Sequence, residues 1–248
     1  VGAKPLAITN CLNFGNPENK EIMGEFAECI EGITEACKFL NYPVVSGNVS
    51  FYNGTNNKNI YPTPVIGGVG LIKKLLKPLS PNFKKENSSI ILIGKTFGHI
   101  EQSCFLKENF SKSEGLPPEI NLNNEKNNGE TVLQLIRKNL VLSVHDVSSG
   151  GLLVSLSEMS IGSNLGAKIY KPKKIINKFE YFFGEDQGRY ILEVEKASLD
   201  KVVKVLNDNE IYYENIGKTQ VKNFEIESEF NIDVNDLFKI NNQWYNNY

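Results

Sequence analysis

Three short polar segments of this 248-residue chain carry side chains that could do chemistry. The first is Val44 to Ser50, a strand-like run that Gly47 interrupts and small polar side chains follow. Asn48 and Ser50 offer neutral oxygen atoms to a hard cation or to a bound phosphate. A β-bulge followed by a side-chain-capped turn would explain the same residues, so the segment alone leaves both interpretations open.

The second segment, Ser143 to Gly151, leads from a short apolar strand into an amphipathic helix. Asp146 would be an oxygen ligand for Mg²⁺, and the two glycines before the helix would leave backbone N–H groups free to bind phosphate. An Asp or Ser side chain that only caps the helix is the alternative. A helix cap alone would not require the neighbouring His145. Both interpretations stay open.

The third segment, Phe183 to Ile191, places two adjacent carboxylates, an amide and an arginine at the start of a strand. Glu185 and Asp186 could hold a metal, with Arg189 as the counter-charge. A solvated turn closed by an internal ion pair is the alternative.

The sequence does not support several other kinds of site. Histidine occurs only at positions 99 and 145, and neither lies near a G-x-S-x-G pattern, so a nucleophilic triad is not supported. The chain lacks a G-x-x-x-x-G-K-S/T loop, which excludes the P-loop route to ATP. The four cysteines show no C-x-x-C spacing and are expected to be buried, reduced thiols.

Charge and hydropathy narrow the class of protein further. Lysine and arginine number 27 against 29 aspartates and glutamates, which gives a net charge of −2. A nucleic-acid partner that needs its phosphates neutralised is therefore not expected. No apolar run approaches the roughly 18 to 20 residues of a spanning helix. We expect a cytoplasmic protein that does not bind membranes.

Two units are expected to position the polar segments. In the first, Asn16-Pro17-Glu18 has the signature of a helix start, and apolar residues then recur at three- and four-residue steps to Leu40. Val- and Ile-rich runs from Pro43 to Phe51 and from Pro64 to Lys73 predict strands. A polar, breaker-rich stretch from Lys77 to Asn87 then marks the boundary.

The second unit alternates strands with helices and begins with an apolar strand at Ile90. We predict helices near residues 123–138, 151–159 and 198–207, and further strands near 141–144, 167–170, 189–194, 211–218 and 224–230. A polar tail is expected at the C-terminus. The predicted fold class is α+β or α/β, with helices layered on sheets.

Motifs in both units, taken together and in this order, resemble one family. They are Thr9-Asn10-Cys11-Leu12-Asn13-Phe14-Gly15-Asn16-Pro17, Gly47-Asn48-Val49-Ser50, Pro62-Thr63-Pro64-Val65, His145-Asp146-Val147-Ser148-Ser149-Gly150-Gly151-Leu152 and Glu185-Asp186-Gln187-Gly188-Arg189-Tyr190. This pattern, which covers Ala3 to about Lys218, is similar to the C-terminal half of the synthetase subunit of phosphoribosylformylglycinamidine synthase. That family belongs to the superfamily of aminoimidazole ribonucleotide synthetase.

The resemblance implies a ligase of purine biosynthesis that uses ATP and Mg²⁺. It would convert formylglycinamide ribonucleotide, with ammonia derived from glutamine, to the amidine. The implied partners are the missing first half of the synthetase, a glutaminase subunit and a small bridging subunit. A second interpretation, in which this half is a noncatalytic nucleotide-binding scaffold, stays open. In either case the chain alone is expected to be inactive, because nothing in it matches the catalytic histidines of the first half.

The resemblance also implies roles for particular residues. The ATP contacts fall on Asn10 and Gly47, the Mg²⁺ ligand on Asn48 and the substrate contact on Ser50, and no catalytic residue lies in this half. Asn10 departs from the family pattern, because an amide replaces the acid. An auxiliary nucleotide site would be lined by Asp146, Glu185, Asp186 and Gln187.

The expected domains follow the same resemblance. They are a partial N-domain over residues 1–76, an α/β C-domain over 88–230 and a C-terminal tail over 231–248. Gly47, Asn48 and Ser50 are expected to project together toward the missing first half, whereas Asp146 and Glu185 should face the auxiliary site.

Overall fold

A computed structural model describes residues 1–72, 78–170, 172 and 177–245. The chain divides into two compact units, Ala3–Leu76 and Lys77–Tyr248, and the second also includes Val1–Gly2. Lys73, the expected end of a strand, Lys77, the expected start of the linker, and residues 246–248 of the expected tail lie outside the described residues. In the described part of the chain, no helix is long and apolar enough to cross a membrane.

The first unit is built on a three-stranded sheet with β1 (Lys4–Asn13) at its centre. Strand β2 (Val44–Ser50) pairs with β1 in parallel, and β5 (Thr63–Leu71) pairs with it antiparallel. Helix α1 (Lys20–Leu40) makes the crossover from β1 to β2 that a parallel pair requires. A short hairpin of β3 (Gly54–Thr55) and β4 (Lys58–Asn59) separates β2 from β5.

Helix α1 begins three residues later than the sequence predicts. The Asn19 side chain accepts a hydrogen bond from Glu21 N and is the N-cap. Asn16, the predicted cap, instead closes a turn, because its side chain accepts from Glu18 N and its carbonyl from Asn19 N. The two asparagines compete for the same role, and the second directly precedes the apolar run that begins at Ile22.

The core of the first unit is small. Its buried members are Leu12 and Phe14, which pack beneath α1, and Ile22 of α1 itself. Phe14 packs edge-on against Phe26 at 5.1 Å between ring centroids, and Phe51 completes the aromatic cluster. The two outer strands, β2 and β5, are exposed almost throughout.

The second unit is built on a seven-stranded sheet in the order β12-β11-β8-β10-β6-β9-β7. Its pairs are antiparallel except β11 with β8. The predicted mixed class is therefore confirmed, with the α+β arrangement prevailing. The strands are β6 (Ser89–Ile93), β7 (Ser143–Asp146), β8 (Leu165–Ile169), β9 (Tyr190–Val194), β10 (Tyr213–Val221), β11 (Asn223–Ile226) and β12 (Phe230–Asp233).

Helices cover both faces of this sheet. They are α2 (Cys104–Phe110), α3 (Leu122–Arg137), α4 (Gly151–Ile161), α5 (Lys178–Phe183), α6 (Leu199–Asp208) and α7 (Val234–Asn242). Ile90 and Leu92 of β6 pack with α4 and α5, whereas Ile91 and Ile93 pack with α3 and α6. Side chains alternate along a strand, so one apolar strand contributes to two cores.

Three parts of the second unit differ from the sequence prediction. Helices α2 and α5 have only seven and six residues, too short for a helical period to be read. The predicted strand at 224–230 is two strands, because the chain turns between Ile226 and Phe230. The expectation of a tail from residue 231 is wrong, since β12 and α7 lie there, and Val234 is buried against the core.

Candidate functional site

Asn10 and Gly47 are cross-strand partners on β1 and β2. A Cβ added to Gly47 would lie 1.8 Å from Asn10 Oδ1, so the Asn10 amide lies directly over the glycine. Only glycine at position 47 leaves that space, which is the close approach that a glycine within a strand permits. Both residues lie on the face of the sheet that also carries Leu12 and packs against α1.

Asn48 and Ser50 lie on the opposite face. Their partners on β1 are Cys11 and Asn13, and the Asn48 Nδ2 group donates to Cys11 Sγ at 3.5 Å. The expectation that Gly47 projects together with Asn48 and Ser50 is therefore wrong, because adjacent strand residues point to opposite faces. The four site residues predicted in this unit divide into two pairs on two faces.

Ser50 lies where β2 turns toward the hairpin. Its hydroxyl donates to Asn53 Oδ1 at 3.2 Å, and Asn53 Nδ2 in turn donates to the carbonyls of Phe14 and Ser50. The Ser50 oxygen keeps its lone pairs for a ligand, since its proton is already donated. Asn48 Oδ1 likewise accepts no hydrogen bond from the described residues and is exposed.

Glu185 and Asp186 of the second unit are bound to backbone N–H groups. Asp186 Oδ2 accepts from Phe97 N and Gly98 N at 3.0 Å, and its Oδ1 accepts from His99 N at 3.1 Å. Glu185 Oε1 accepts from Cys104 N and Gly150 N, both at 2.8 Å. These two carboxylates fix the loops around them, and Glu185 keeps only Oε2 for another ligand.

Arg189 closes the network from inside. Its side chain is fully buried and donates to the carbonyls of Gly184 and Asp186 and to Thr96 Oγ1. Burial lowers the pKa of Arg189, and the Asp186 carboxylate, 3.9 Å away, opposes that effect. Each of its three nitrogens therefore makes a hydrogen bond within the protein.

Asp146 is the exposed acid at the end of β7, with 66% of its side chain accessible. His145 beside it contacts Glu158 Oε2 through Nε2 at 3.1 Å and the Asp146 carbonyl through Nδ1 at 2.6 Å. His145 thereby ties the end of β7 to α4. Asp146 and Gln187 are the exposed members of the predicted auxiliary site. Gln187 Nε2 donates to the Glu185 carbonyl at 3.4 Å, and Asp146 Oδ1 lies 3.5 Å from His145 Nδ1.

Two cavities lie side by side on the second unit. One, of about 330 Å³, is lined by Asp146, Ser148, Ser149, Glu185 and Gln187. The other, of about 390 Å³, is lined by Phe97, His99, Asn121, Asn124, Asp186 and Gln187. The two cavities together form a cleft, and each of the four predicted auxiliary-site residues lines at least one of them.

Glu125 lines both cavities and was not predicted from the sequence. It stands in the first turn of α3, where an acidic residue is typical of any helix start. Burial raises the pKa of its carboxyl group. Its chemical role therefore has no distinct sequence signal, and only the tertiary structure shows that it faces the cleft.

The Mg²⁺ that the family resemblance implies can be tested against these donors. Within the described residues, no cluster of three or more His, Cys, Asp or Glu side chains is placed to hold a metal. Single oxygen ligands are present in Asn48 Oδ1, Asp146 and Glu185 Oε2. Magnesium is commonly bound by one or two protein oxygens together with phosphate oxygens and water, so these residues fit a metal that arrives with a nucleotide.

Comparison with known proteins gives two family matches. The N-terminal domain of AIR synthase related protein matches residues 1–72, and the C-terminal domain of the same family matches residues 85–227.

Curated relatives match the whole chain. Phosphoribosylformylglycinamidine synthase subunit PurL of Pelagibacter ubique (strain HTCC1062) is 50% identical over 248 residues, which are 100% of this chain and 34% of the relative. The protein of the same name from Rhodopseudomonas palustris (strain BisB5) is 44% identical over the same shares. The chain thus spans about a third of the length of these relatives.

Solved structures share the fold. PurL of Thermotoga maritima complexed with FGAR has a TM-score of 0.71 at 18% identity, over 96% of this chain and 40% of that chain. The complex of the same protein with ATP has a TM-score of 0.68 at 16% identity, over 96% and 38%. HypE of E. coli, a hydrogenase maturation protein, has a TM-score of 0.69 at 13% identity, over 94% and 73%.

Proposed function

The chain belongs to the AIR synthase related protein family, and we propose that it supplies part of phosphoribosylformylglycinamidine synthase, an ATP-dependent ligase of purine biosynthesis. The observation that carries the proposal is the Asn10 amide seated over Gly47, next to a strand face that presents Asn48 and Ser50. The 50% identity to a PurL subunit over the full length of the chain supports it.

The proposed reaction joins nitrogen to carbon in two steps. The amide oxygen of formylglycinamide ribonucleotide attacks the γ-phosphorus of ATP, which releases ADP and leaves an iminophosphate. Ammonia then attacks the imidate carbon, and inorganic phosphate leaves with the former amide oxygen. The product is the amidine. Bound Mg²⁺ would shield the phosphate charge.

In the first unit, the residues of this chain would bind and orient. The Asn10 amide would contact the nucleotide, and Gly47 would let it approach the backbone. Asn48 Oδ1 would be a Mg²⁺ ligand and the Ser50 hydroxyl a substrate contact. Because Gly47 and Asn48 point to opposite faces, the nucleotide would have to reach the strand from its end or edge.

In the second unit we propose an auxiliary nucleotide site. Asp146 and Glu185 Oε2 would hold Mg²⁺, which would shield the phosphate charge, and Gln187 would contact the nucleotide. Asp186 would contribute by fixing Phe97, Gly98 and His99 around the site. We place the boundary between the two domains in residues 77–87.

The proposed partners are the first half of the synthetase, a glutaminase subunit and a small bridging subunit. Without the first half the chain would turn over nothing, so a role as a nucleotide-binding scaffold is compatible with this proposal. We place the activity in the cytoplasm, which is consistent with four cysteines that form no disulfide.

A chimera tests the function directly. This chain would replace the matching third of the Pelagibacter relative, and the purified chimera would be assayed for amidine formation from formylglycinamide ribonucleotide, Mg·ATP and ammonia. We expect turnover by the chimera and none by the chain alone. Asn48→Ala in the chimera should lower turnover about 100-fold or more, because a phosphoryl-transfer site depends on the position of its metal.

Asn56→Ala is the matched control, because it removes an exposed amide from the tip of the β3–β4 hairpin. It should leave turnover unchanged. A folded chimera without turnover, or an Asn48→Ala chimera with normal turnover, would contradict the proposed function.

A further inference from the structure

The cavity that Asp146 lines and the neighbouring cavity that Asp186 lines share one wall. Glu125 and Gln187 line both cavities. Asn128 Nδ2 of α3 donates to Gly188 O at 2.8 Å, which holds the helix against the turn that carries Gln187. One elongated ligand could therefore lie across both cavities and pass the Glu125 carboxylate at its middle.

Among the described residues, the Glu125 carboxylate accepts no hydrogen bond and makes no ion pair. The side chain that caps α3 is Asn121, which accepts from Asn124 N. The side chain is half-buried. A partly desolvated carboxylate without donors is unfavourable, so a ligand that brought hydroxyl donors would gain affinity there.

The two ends of the cleft differ in chemistry. At one end, Ser148 and Ser149 precede α4, an eleven-residue helix without a side-chain cap. Gly150 N already donates to Glu185 Oε1 and Gly151 N to the Ser148 carbonyl, so the N–H groups of Leu152 and Leu153 are the ones that suit an anion. At the other end, 74% of Phe97 is exposed although its backbone is fixed by Asp186. Its ring suits stacking by a planar base, and the amides of Asn121 and Asn124 suit the edge of that base.

An anion site, a carboxylate and an aromatic platform in this order match phosphate, sugar and base. We propose that Glu125 is a specificity residue of the auxiliary site, accepting hydrogen bonds from the sugar hydroxyls of a ribonucleotide whose phosphates lie beside α4 and whose base lies on Phe97. This assignment rests on the proposed nucleotide binding by the second unit. It adds the sugar contact and the direction in which the ligand lies.

The test is calorimetric titration of this chain with Mg·ADP and with Mg·2′,3′-dideoxyADP, which lacks both hydroxyls. The unchanged chain should bind ADP more tightly by about tenfold or more, as hydrogen bonds to a charged acceptor would give. Glu125→Gln should remove most of that preference by weakening ADP alone. Glu130→Gln, the same change on an exposed part of α3, should leave both affinities unchanged.

Phe97→Ala locates the ligand. It should weaken the binding of both nucleotides by the same factor and leave the ratio of their affinities unchanged. If ADP binds but the dideoxy analogue binds equally well, if Glu125→Gln keeps the preference, or if Phe97→Ala changes nothing, the Glu125 proposal is wrong. Amidine formation by the chimera is measured independently, so that result would leave the proposed ligase standing. If no ADP binds at all, both the Glu125 assignment and the auxiliary site fail.

Discussion

The two units hold their candidate site residues in opposite ways. In the first, Asn48 is exposed on an edge strand and makes one long contact to a sulfur atom. In the second, Asp186 accepts three backbone hydrogen bonds and lies against a fully buried arginine. The loops of the second unit are therefore positioned before any ligand arrives, whereas side chains in the first would be ordered by what they bind.

Phe14→Ala should have the largest effect, because it removes a buried ring from the smaller of the two cores. Truncating a buried phenylalanine costs about 3–5 kcal/mol, which is comparable to the whole stability of so small a core. We expect residues 3–72 to lose protection against hydrogen exchange, while the sheet of residues 89–233 keeps it. Leu156→Ala in the second unit is the control.

Because the core around Leu156 is larger, Leu156→Ala should lower the stability of the second unit without abolishing its fold. If Phe14→Ala leaves protection in the first unit unchanged, its small core is not what holds it together.

Arg189→Met should have the next largest effect. The change leaves the carbonyls of Gly184 and Asp186 without their buried donor and removes the cation beside the Asp186 carboxylate. We expect a loss of about 3–5 kcal/mol in the free energy of unfolding, measured in urea. Lys168→Met breaks a more exposed pair with Glu225 and should cost much less, because solvent screens that pair. Equal costs would show that Arg189 does not anchor the loops.

The sequence predicts much of the fold but little of the way in which the two units hold their candidate site residues. Apolar periods predict α1, α3 and α6, because an amphipathic face repeats often enough to be recognised. Helix α4 lies where the sequence predicts it, but it is apolar on most of its sides and not amphipathic as expected. The sequence singles out Asp186 as a candidate metal ligand and Arg189 as its counter-charge, and the structure places both in one buried network. The backbone partners of Asp186 were not predictable, because Phe97 to His99 lie some 87 to 89 residues away along the chain.

The strand faces show the same limit. Alternation predicts that Asn48 and Ser50 share one face. It also places Gly47 on the other face. The expectation that all three residues project together, which followed the family resemblance, overlooked this alternation. The seat of Asn10 over Gly47 depends on the register between β1 and β2, which the sequence does not specify.

Gly47→Ala should have a moderate effect on the first unit. The added methyl group would lie 1.8 Å from Asn10 Oδ1, so the amide must move. We expect a loss of about 1–3 kcal/mol, typical of overpacking, measured by urea unfolding of that unit. The double variant with Asn10→Ala should recover most of this stability but not ATP affinity. A double variant as unstable as Gly47→Ala would mean that the clash is with the backbone.

The pH dependence of Glu193 should give the smallest effect, and it tests whether a buried carboxylate of the second unit is fully compensated. Glu193 is buried on β9 and accepts from Lys84 N, Lys85 N and Ser143 Oγ. Burial raises its pKa above the ordinary 4.5, against the opposing effect of these hydrogen bonds. The folded state therefore holds the proton more tightly than the unfolded state does.

Stability from this group is then complete below about pH 4.5 and is lost as pH rises through the raised pKa. The free energy of unfolding of the unchanged chain, minus that of Glu193→Gln, should therefore fall as pH increases. Glu225→Gln is the control. The same difference for this variant should rise with pH, because Lys168 lowers the pKa of Glu225. If the Glu193 difference instead grows with pH, the three donors outweigh burial, and this carboxylate is stabilised in its charged form.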